Sequence, residues 1–217
     1  MRQRNGPRPV HSRLTRALIA GAGLPGAILV ALAMPLPAQE PVASQKPLVA
    51  GAYSFSDELG GFRIISASGT GSRSDPFVIQ EEMNSATPVT MVIRTIRPIR
   101  PFDFSGLYAN GFMHMRVEIL NNSNLPWIEF EFELQEHFGE PSVFGDGLSF
   151  DQRRTDSENI SSTSFFEFSR AYEPYDRLLF RGGEIDHLET ASFGFLMSDF
   201  TPRWEFFLVQ DPRIPSS

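Results

Sequence analysis

The chain has 217 residues, of which 26 are acidic and 19 are lysine or arginine, and its formal net charge is −7. This acidic balance disfavours nucleic acid and anionic lipid head groups as partners. No cysteine is present, which excludes disulfides, thiol catalysis, thiolate metal sites and a lipid-modified cysteine.

Residues 1–38 have the order of a secretory signal peptide. They contain no acidic residue, and an apolar stretch over 17–33 is interrupted by glycine and proline. That stretch is shorter than the roughly 20 apolar residues of a stable membrane helix. We predict cleavage after Ala38, with Ala33 and Ala43 as alternatives, and no stable membrane span afterwards. The predicted location is periplasmic or secreted. Five arginines lie in this segment: Arg2, Arg4, Arg8, Arg13 and Arg16.

The remaining 179 residues have the length of one domain that buries a core without disulfides. Residues 39–52 are rich in proline, alanine and serine without hydrophobic periodicity, which predicts a flexible arm or an edge segment. Residues 53–217 then show short β-branched and aromatic runs separated by Gly, Pro, Asn and Asp. This pattern predicts an all-β fold, a single antiparallel β-sandwich of about nine strands. The predicted strands are 62–68, 77–83, 89–96, 113–120, 127–135, 164–169, 177–180, 191–197 and 204–209.

The clearest strand pattern lies at 127–135, where apolar residues alternate with Glu129, Glu131, Glu133 and Gln135. A weaker alternation covers 113–120. Because the intervening segment is rich in asparagine and ends in proline, these two strands are predicted to pair antiparallel. Arg116 and Glu118 would then meet the glutamates of the other strand.

Two stretches carry a resemblance to known proteins. The sequence DELGGFRIISASGTG at 57–71, continued by DPFVIQEE at 75–82, resembles a family of uncharacterised exported bacterial proteins. The second stretch comprises 121–134, 146–150 and 180–183, and it is loosely similar to bacterial secreted β-sandwich domains. The resemblance implies export and a sandwich fold, and it implies no activity, cofactor or catalytic residue. Between the two parts of the first stretch, residues 69–76 read as a turn rather than a phosphate loop, because a strand follows them.

Catalytic chemistry has little support in the residue pattern. Glu129, Glu131 and Glu133 could supply the two carboxylates of a polysaccharide hydrolase, since neighbours on one strand face lie about 7 Å apart. Ordinary surface alternation explains them equally well. The histidines at 114, 137 and 187 lack the spacing of a zinc motif, and no G-x-S-x-G elbow occurs. We therefore assign no catalytic residue.

The acidic segment 139–162 is predicted to be an extended surface loop. Asp146, Asp151 and Asp156 could ligate calcium there, although their spacing does not match an EF-hand loop. A solvated acidic loop is the alternative, and no other cofactor is indicated.

Basic charge is concentrated in residues 94–102, where Arg94, Arg97 and Arg100 could bind a carboxylate, a phosphate or an acidic polymer. The alternative is a strand that leaves the sheet into a proline-rich connection, with the arginines paired to nearby glutamates.

Aromatic composition favours a phenylalanine-packed core. The chain has 20 Phe but four Tyr and two Trp, whereas sugar-stacking faces favour exposed Trp and Tyr. Trp127 and Trp204 are both predicted to seal the core.

Taken together, these features predict a noncatalytic binding or assembly module of the bacterial cell envelope, whose partner is an envelope protein or a polysaccharide. A carboxylate-dependent polysaccharide hydrolase and a module that binds calcium or a small solute are the alternatives.

Overall fold

The computed structural model describes residues 46–143, 145–151, 159–170 and 174–215. The predicted signal peptide, residues 1–38, and its cleavage sites lie outside the described residues. No α-helix occurs in the described ranges. Consistent with this, no helix there has the length and apolar character needed to cross a membrane.

Thirteen strands form two sheets. The seven-stranded sheet has the order β1-β2-β5-β13-β7-β11-β10, and the other sheet has the order β3-β4-β6-β12-β8, with β9 also paired to β12. The strands are β1 (Leu48–Ala50), β2 (Tyr53–Ser56), β3 (Phe62–Ser68), β4 (Phe77–Met83), β5 (Val89–Thr95), β6 (Phe112–Asn121), β7 (Glu129–Gln135), β8 (Leu148–Phe150), β9 (Ser161–Ser162), β10 (Phe165–Ser169), β11 (Arg177–Gly183), β12 (Thr190–Asp199) and β13 (Glu205–Arg213).

The structure confirms an all-β sandwich and contains each of the nine predicted strands. The additional strands are the short β1, β2, β8 and β9. Strand β1 lies within the interval predicted as an arm, and β8 and β9 lie within the interval predicted as a loop. One neighbouring pair, β4 with β6, is parallel rather than antiparallel.

The core lies between the inner faces of the two sheets and is dominated by phenylalanine, as the composition predicted. Phe130 on β7 lies 4.8 Å from Phe193 on β12, between ring centroids. The same separation joins Phe132 and Phe195 one step along the sheets. Such tilted ring pairs add packing energy beyond the buried area, so these contacts hold the two sheets face to face.

The two tryptophans have different environments. Trp127 is fully buried, and its indole nitrogen donates to the Ser123 hydroxyl at 3.0 Å. Trp204 is 63% exposed, so its prediction as a core residue is wrong. It directly precedes β13, and its backbone carbonyl accepts from the Thr95 amide at 2.9 Å.

The predicted antiparallel pairing of the strands at 113–120 and 127–135 is also wrong, because β6 and β7 belong to different sheets. Each strand has one strongly apolar face, and both faces are buried by meeting across the core rather than by lying side by side. The connection between them is fixed by the buried Asn121 side chain, which donates to the Ile185 carbonyl at 2.9 Å.

One polar pair crosses this apolar interior. Glu81 on β4 and Gln210 on β13 are both buried, and the Gln210 amide nitrogen lies 3.1 Å from the Glu81 carboxyl. Burial raises the pKa of Glu81 to about 8, and nearby Asp57 adds to the shift. The carboxyl group is therefore protonated in the folded protein at neutral pH.

Candidate binding site

The floor of the candidate site is the outer face of the six-stranded sheet, where β6 and β12 run side by side. His114 on β6 pairs with Leu196 on β12, and Phe112 pairs with Ser198. Side chains alternate between the two faces of a strand, so these four residues share the side that faces away from the core.

A tight turn at Gly69–Pro76 forms one wall and brings Arg73 to the floor. The amides of Thr70 and Gly71 both donate to the Asp75 carbonyl, and the Gly71 carbonyl accepts from the His114 amide at 2.9 Å. Gly71 has a φ of +80°, and a Cβ atom there would lie 2.3 Å from the Phe77 ring. Only glycine accommodates both the backbone conformation and the close approach, so this residue fixes the turn against β6.

The segment 97–110 forms the opposite wall. Two backbone hydrogen bonds join its ends. The Arg100 amide donates to the Ala109 carbonyl at 2.9 Å, and the Ala109 amide donates to the Pro98 carbonyl at 3.0 Å. Phe104 packs on Phe112 of the floor with 5.7 Å between ring centroids, yet it stays 72% exposed. The wall therefore presents an aromatic side chain that the protein itself leaves largely uncovered.

Three adjoining cavities of about 270, 420 and 220 Å³ follow this floor, and Arg73 and His114 line all three. We call them together the outer cleft. Within the described ranges, no Asp or Glu lines the largest cavity, although the chain as a whole is acidic. The residues that give this cavity its character are Arg73, Arg97, Phe104, Tyr108, Asn110 and His114.

His114 supplies a neutral imidazole to the cleft. Burial lowers its pKa first, the positive charge of Arg73 lowers it further, and Asp151 acts in the opposite direction. Because the ordinary histidine pKa is already near 6.5, the ring is uncharged at neutral pH. It can donate one hydrogen bond and accept another.

The 270 Å³ cavity of the cleft contains an unsatisfied hydroxyl. Ser198 is 2% exposed and lines the 270 Å³ cavity together with Asp151 and Asn159. Its Oγ has no hydrogen-bond partner among the described residues. Ser149, its neighbour across the β12–β8 pair, has the same deficit. Buried hydroxyls without partners are uncommon and costly, so this end of the cleft is prepared for a polar group.

The three arginines predicted as an anion-binding set occupy different places. Arg97 lines the outer cleft and donates to the Gly106 carbonyl. Arg94 points from the outer face of the seven-stranded sheet, where it binds Glu58 at 2.7 Å and Glu205 at 2.6 Å.

Arg100 lies on the segment 97–110 and is bound within it. Its guanidinium lies 3.3 Å from Asp103 and 5.2 Å from the centre of the Tyr108 ring. Of the three arginines, Arg97 alone contributes to the outer cleft; Arg94 and Arg100 match the alternative in which arginines pair with carboxylates.

The predicted carboxylate trio lies on the opposite side of the sandwich, on the outer face of the seven-stranded sheet. Arg213 binds Glu131 at 2.7 Å and Glu129 at 3.5 Å, and Arg177 binds Glu133. Burial raises the pKa of Glu131, while Arg213 and Arg177 oppose the rise. These glutamates are held in ion pairs on a sheet face, which is not the cleft geometry that a glycosidase requires.

The aspartates predicted as calcium ligands are not collected into one site within the described residues. Asp146 accepts from the amides of Val143 and Leu148 at 2.9 and 3.0 Å, and Asp151 accepts from Asn159 at 2.9 Å. Asp156 lies outside the described residues. No group of three or more His, Asp or Glu suited to a metal is found in the described ranges.

Sequence reasoning missed the cleft because its members come from distant segments. The sequence predicts Arg73 in a turn and His114 in a strand, and Ser198 lies just beyond the predicted strand 191–197. The one available signal was an arginine at the tip of a Gly/Ser turn in an acidic chain. Compared with known proteins, the chain matches no family model, no curated protein and no solved structure. The functional argument therefore rests on the chain's own residues.

Proposed function

We propose that this chain is a noncatalytic binding module of the bacterial cell envelope and that the outer cleft binds a ligand with a carboxylate or phosphate group. The single observation that carries the proposal is the 420 Å³ cavity of the outer cleft, where Arg97 and Arg73 lie beside aromatic side chains and no described Asp or Glu is among the lining residues. Guanidinium groups bind carboxylates and phosphates through charge-assisted hydrogen bonds. In an otherwise acidic protein, such a cavity selects anions over cations.

The size and lining of the cavity also support binding of a small ligand. Its volume of about 420 Å³ lies within the roughly 300–1000 Å³ of typical ligand pockets. Phe104 and Tyr108 offer apolar ring faces, while Asn110 and His114 offer hydrogen bonds. This mixture suits an organic anion better than a free inorganic ion.

The cleft offers little to support nucleophilic catalysis. Ser198 and His114 both line the 270 Å³ cavity, which is the pairing that an activated serine would need. However, the Ser198 hydroxyl makes no hydrogen bond to His114 or to any other residue that the structure describes. A binding role is therefore the better account of these residues.

The direct test is calorimetric titration of the protein with phenyl phosphate and with benzoate, which combine an anion with a ring. Arg97→Ala should weaken binding by about tenfold or more, since a hydrogen bond to a charged group contributes roughly 1.5–3 kcal/mol. Arg181→Ala is the matched control, because Arg181 is an exposed arginine of the other sheet that pairs with Glu167. Unaltered binding by Arg97→Ala, or no binding of either anion by the intact protein, would contradict the proposal.

Export is tested separately. The full chain is produced in a Gram-negative bacterium, and the mass of the protein recovered from the periplasm is measured. We expect a chain that begins at Gln39. Recovery of uncleaved protein from the cytoplasm alone would contradict the envelope assignment.

A further inference from the structure

We propose that the anion bound in the outer cleft is the carboxylate of an acidic saccharide, a glycan that contains uronic acid or a similar carboxylated sugar. This inference rests on the proposed function, since it names the chemical class of the ligand for the same site. It is carried by the shape of the cleft, by its neutral polar groups and by its aromatic wall.

The outer cleft is divided into three neighbouring cavities. Three cavities lie side by side and share Arg73 and His114. Two of them, at about 270 and 220 Å³, are smaller than the roughly 300–1000 Å³ typical of pockets for one drug-sized ligand. A ligand built of small linked units fills such a row better than one compact molecule does.

The cleft is lined by several uncharged side chains that can form hydrogen bonds. Thr70, Ser72 and Asn110 line the largest cavity, and Asn159 and Ser198 line the 270 Å³ cavity. Each sugar hydroxyl both donates and accepts, so a saccharide matches hydroxyl and amide side chains spread along a cleft. The apolar chains of a lipid would leave the buried Ser198 hydroxyl without a hydrogen bond.

Ser198 is the residue of the cleft that most clearly needs a polar group from the ligand. Its buried hydroxyl has no partner in the described part of the chain. Asp151 and Asn159 lie in the same cavity, where Asp151 already accepts from Asn159 at 2.9 Å. A sugar hydroxyl that reaches this point would satisfy Ser198. Because a buried unpaired polar group is costly, the ligand gains affinity there without requiring another charge.

One wall of the cleft is aromatic and consists of Phe104 and Tyr108. Phe104 stays 72% exposed although its ring is fixed against Phe112 at 5.7 Å. Tyr108 is held by the guanidinium of Arg100 at 5.2 Å. Rings fixed in advance lose little entropy on binding, so they can receive the C–H face of a sugar ring while Arg73 and Arg97 receive its carboxylate.

The test is calorimetric titration with three probes: a trimer of galacturonic acid, the same trimer with its carboxyl groups reduced to alcohols, and phenyl phosphate. We expect the acidic trimer to bind and the reduced trimer to bind at least tenfold more weakly. Ser198→Ala should weaken binding of the acidic trimer roughly fivefold, the size of one neutral hydrogen bond. Tyr108→Ala should weaken the acidic trimer as well.

Trp204→Ala is the matched control, because Trp204 is an exposed aromatic residue that lies beside Arg203 and Glu205 and outside the cleft. Loss of trimer binding in Trp204→Ala with retention in Tyr108→Ala would overturn the inference, as would equal binding of the acidic and reduced trimers. Binding of phenyl phosphate through Arg97 without binding of the acidic trimer overturns this inference and leaves the proposed function standing. Failure of both anions overturns both.

Discussion

The outer face of the seven-stranded sheet and the outer cleft use the same residue type in opposite ways. On the sheet face, each of four arginines reaches a glutamate: Arg94, Arg177, Arg181 and Arg213. In the largest cavity of the cleft, Arg97 donates to the Gly106 carbonyl and lies in a lining without a described carboxylate. A matched arginine closes a surface, whereas an arginine surrounded by aromatic and neutral polar groups leaves a place for an external anion.

Both regions depend on one shared core, and the largest effect is expected where Glu81 and Gln210 join the sheets. The pKa of Glu81 rises from about 4.5 to about 8 on folding. Between these pH values the unfolded chain loses the proton and the folded protein keeps it. The stabilising contribution of the protonated group is therefore complete below about pH 4.5 and is lost as pH rises through about 8.

Glu81→Gln removes this titration and keeps an uncharged amide pair. The free energy of unfolding of the variant relative to the natural chain should rise by roughly 3–5 kcal/mol from pH 4 to pH 8.5, at 1.36 kcal/mol per pKa unit. Urea unfolding across that range measures it. Glu82→Gln is the control with the opposite sign, because Arg63 lowers the pKa of Glu82. Parallel pH profiles for Glu81→Gln and the natural chain would contradict the prediction.

The second effect concerns the wall of the cleft. Gly71→Ala introduces a Cβ atom at 2.3 Å from Phe77 at a φ of +80°, which combines backbone strain with overpacking. We expect a loss of roughly 2–4 kcal/mol in thermal or urea unfolding. Gly60→Ala has the same φ of +80° but meets nothing within 4 Å, so it isolates the backbone strain. Equal losses in the two variants would show that the turn does not press on Phe77.

A smaller effect on stability is expected from breaking ion pairs on the outer face of the seven-stranded sheet, where one pair is partly buried and another is exposed. Arg213→Ala leaves Glu131, which is 6% exposed, without its 2.7 Å partner. Arg213 itself is partly exposed, so solvent screening limits the loss to about 1–2 kcal/mol. Arg181→Ala leaves an exposed glutamate and should cost below about 1 kcal/mol. Chemical denaturation at neutral pH compares them, and a reversed order would contradict the assignment of a closed ionic face.

The smallest effect on stability is expected for Arg97→Ala, within about 0.5 kcal/mol as for other exposed surface residues. The same variant should lose anion binding with little loss of stability, whereas Arg213→Ala should mainly lose stability. Differential scanning calorimetry alongside the titration checks both properties on one sample. Marked destabilisation by Arg97→Ala would assign this arginine to the fold rather than to a ligand.

The strand pattern was predictable because it depends on alternation within short segments. The interval 127–135 shows one apolar and one acidic face, and the structure places Phe130, Phe132 and Leu134 in the core. The four missed strands have two to four residues, too few to show a period. Glu81 follows the inward register of Phe77 and Ile79, so its burial could have been found from the same alternation.

Pairing between distant strands could not be read from the sequence. The turn-like segment after β6 suggests a hairpin, but β6 pairs with β4 and β12 instead. Because β6 and β7 belong to different sheets, the apolar faces of both strands are buried against each other in the core. The exposed position of Trp204 depends in the same way on where β13 begins relative to its neighbours.

The sequence by itself determined the fold class and the positions of the longer strands, since these follow from the local alternation of apolar and polar residues. Only the tertiary structure decided which arginines meet glutamates and which line a cavity. Arg73, Arg97, His114 and Ser198 lie in four separate segments, and strand pairing together with the packing of the two wall segments brings them to one cleft. Contacts between residues so far apart depend on the register of the whole sheet, which no local pattern contains.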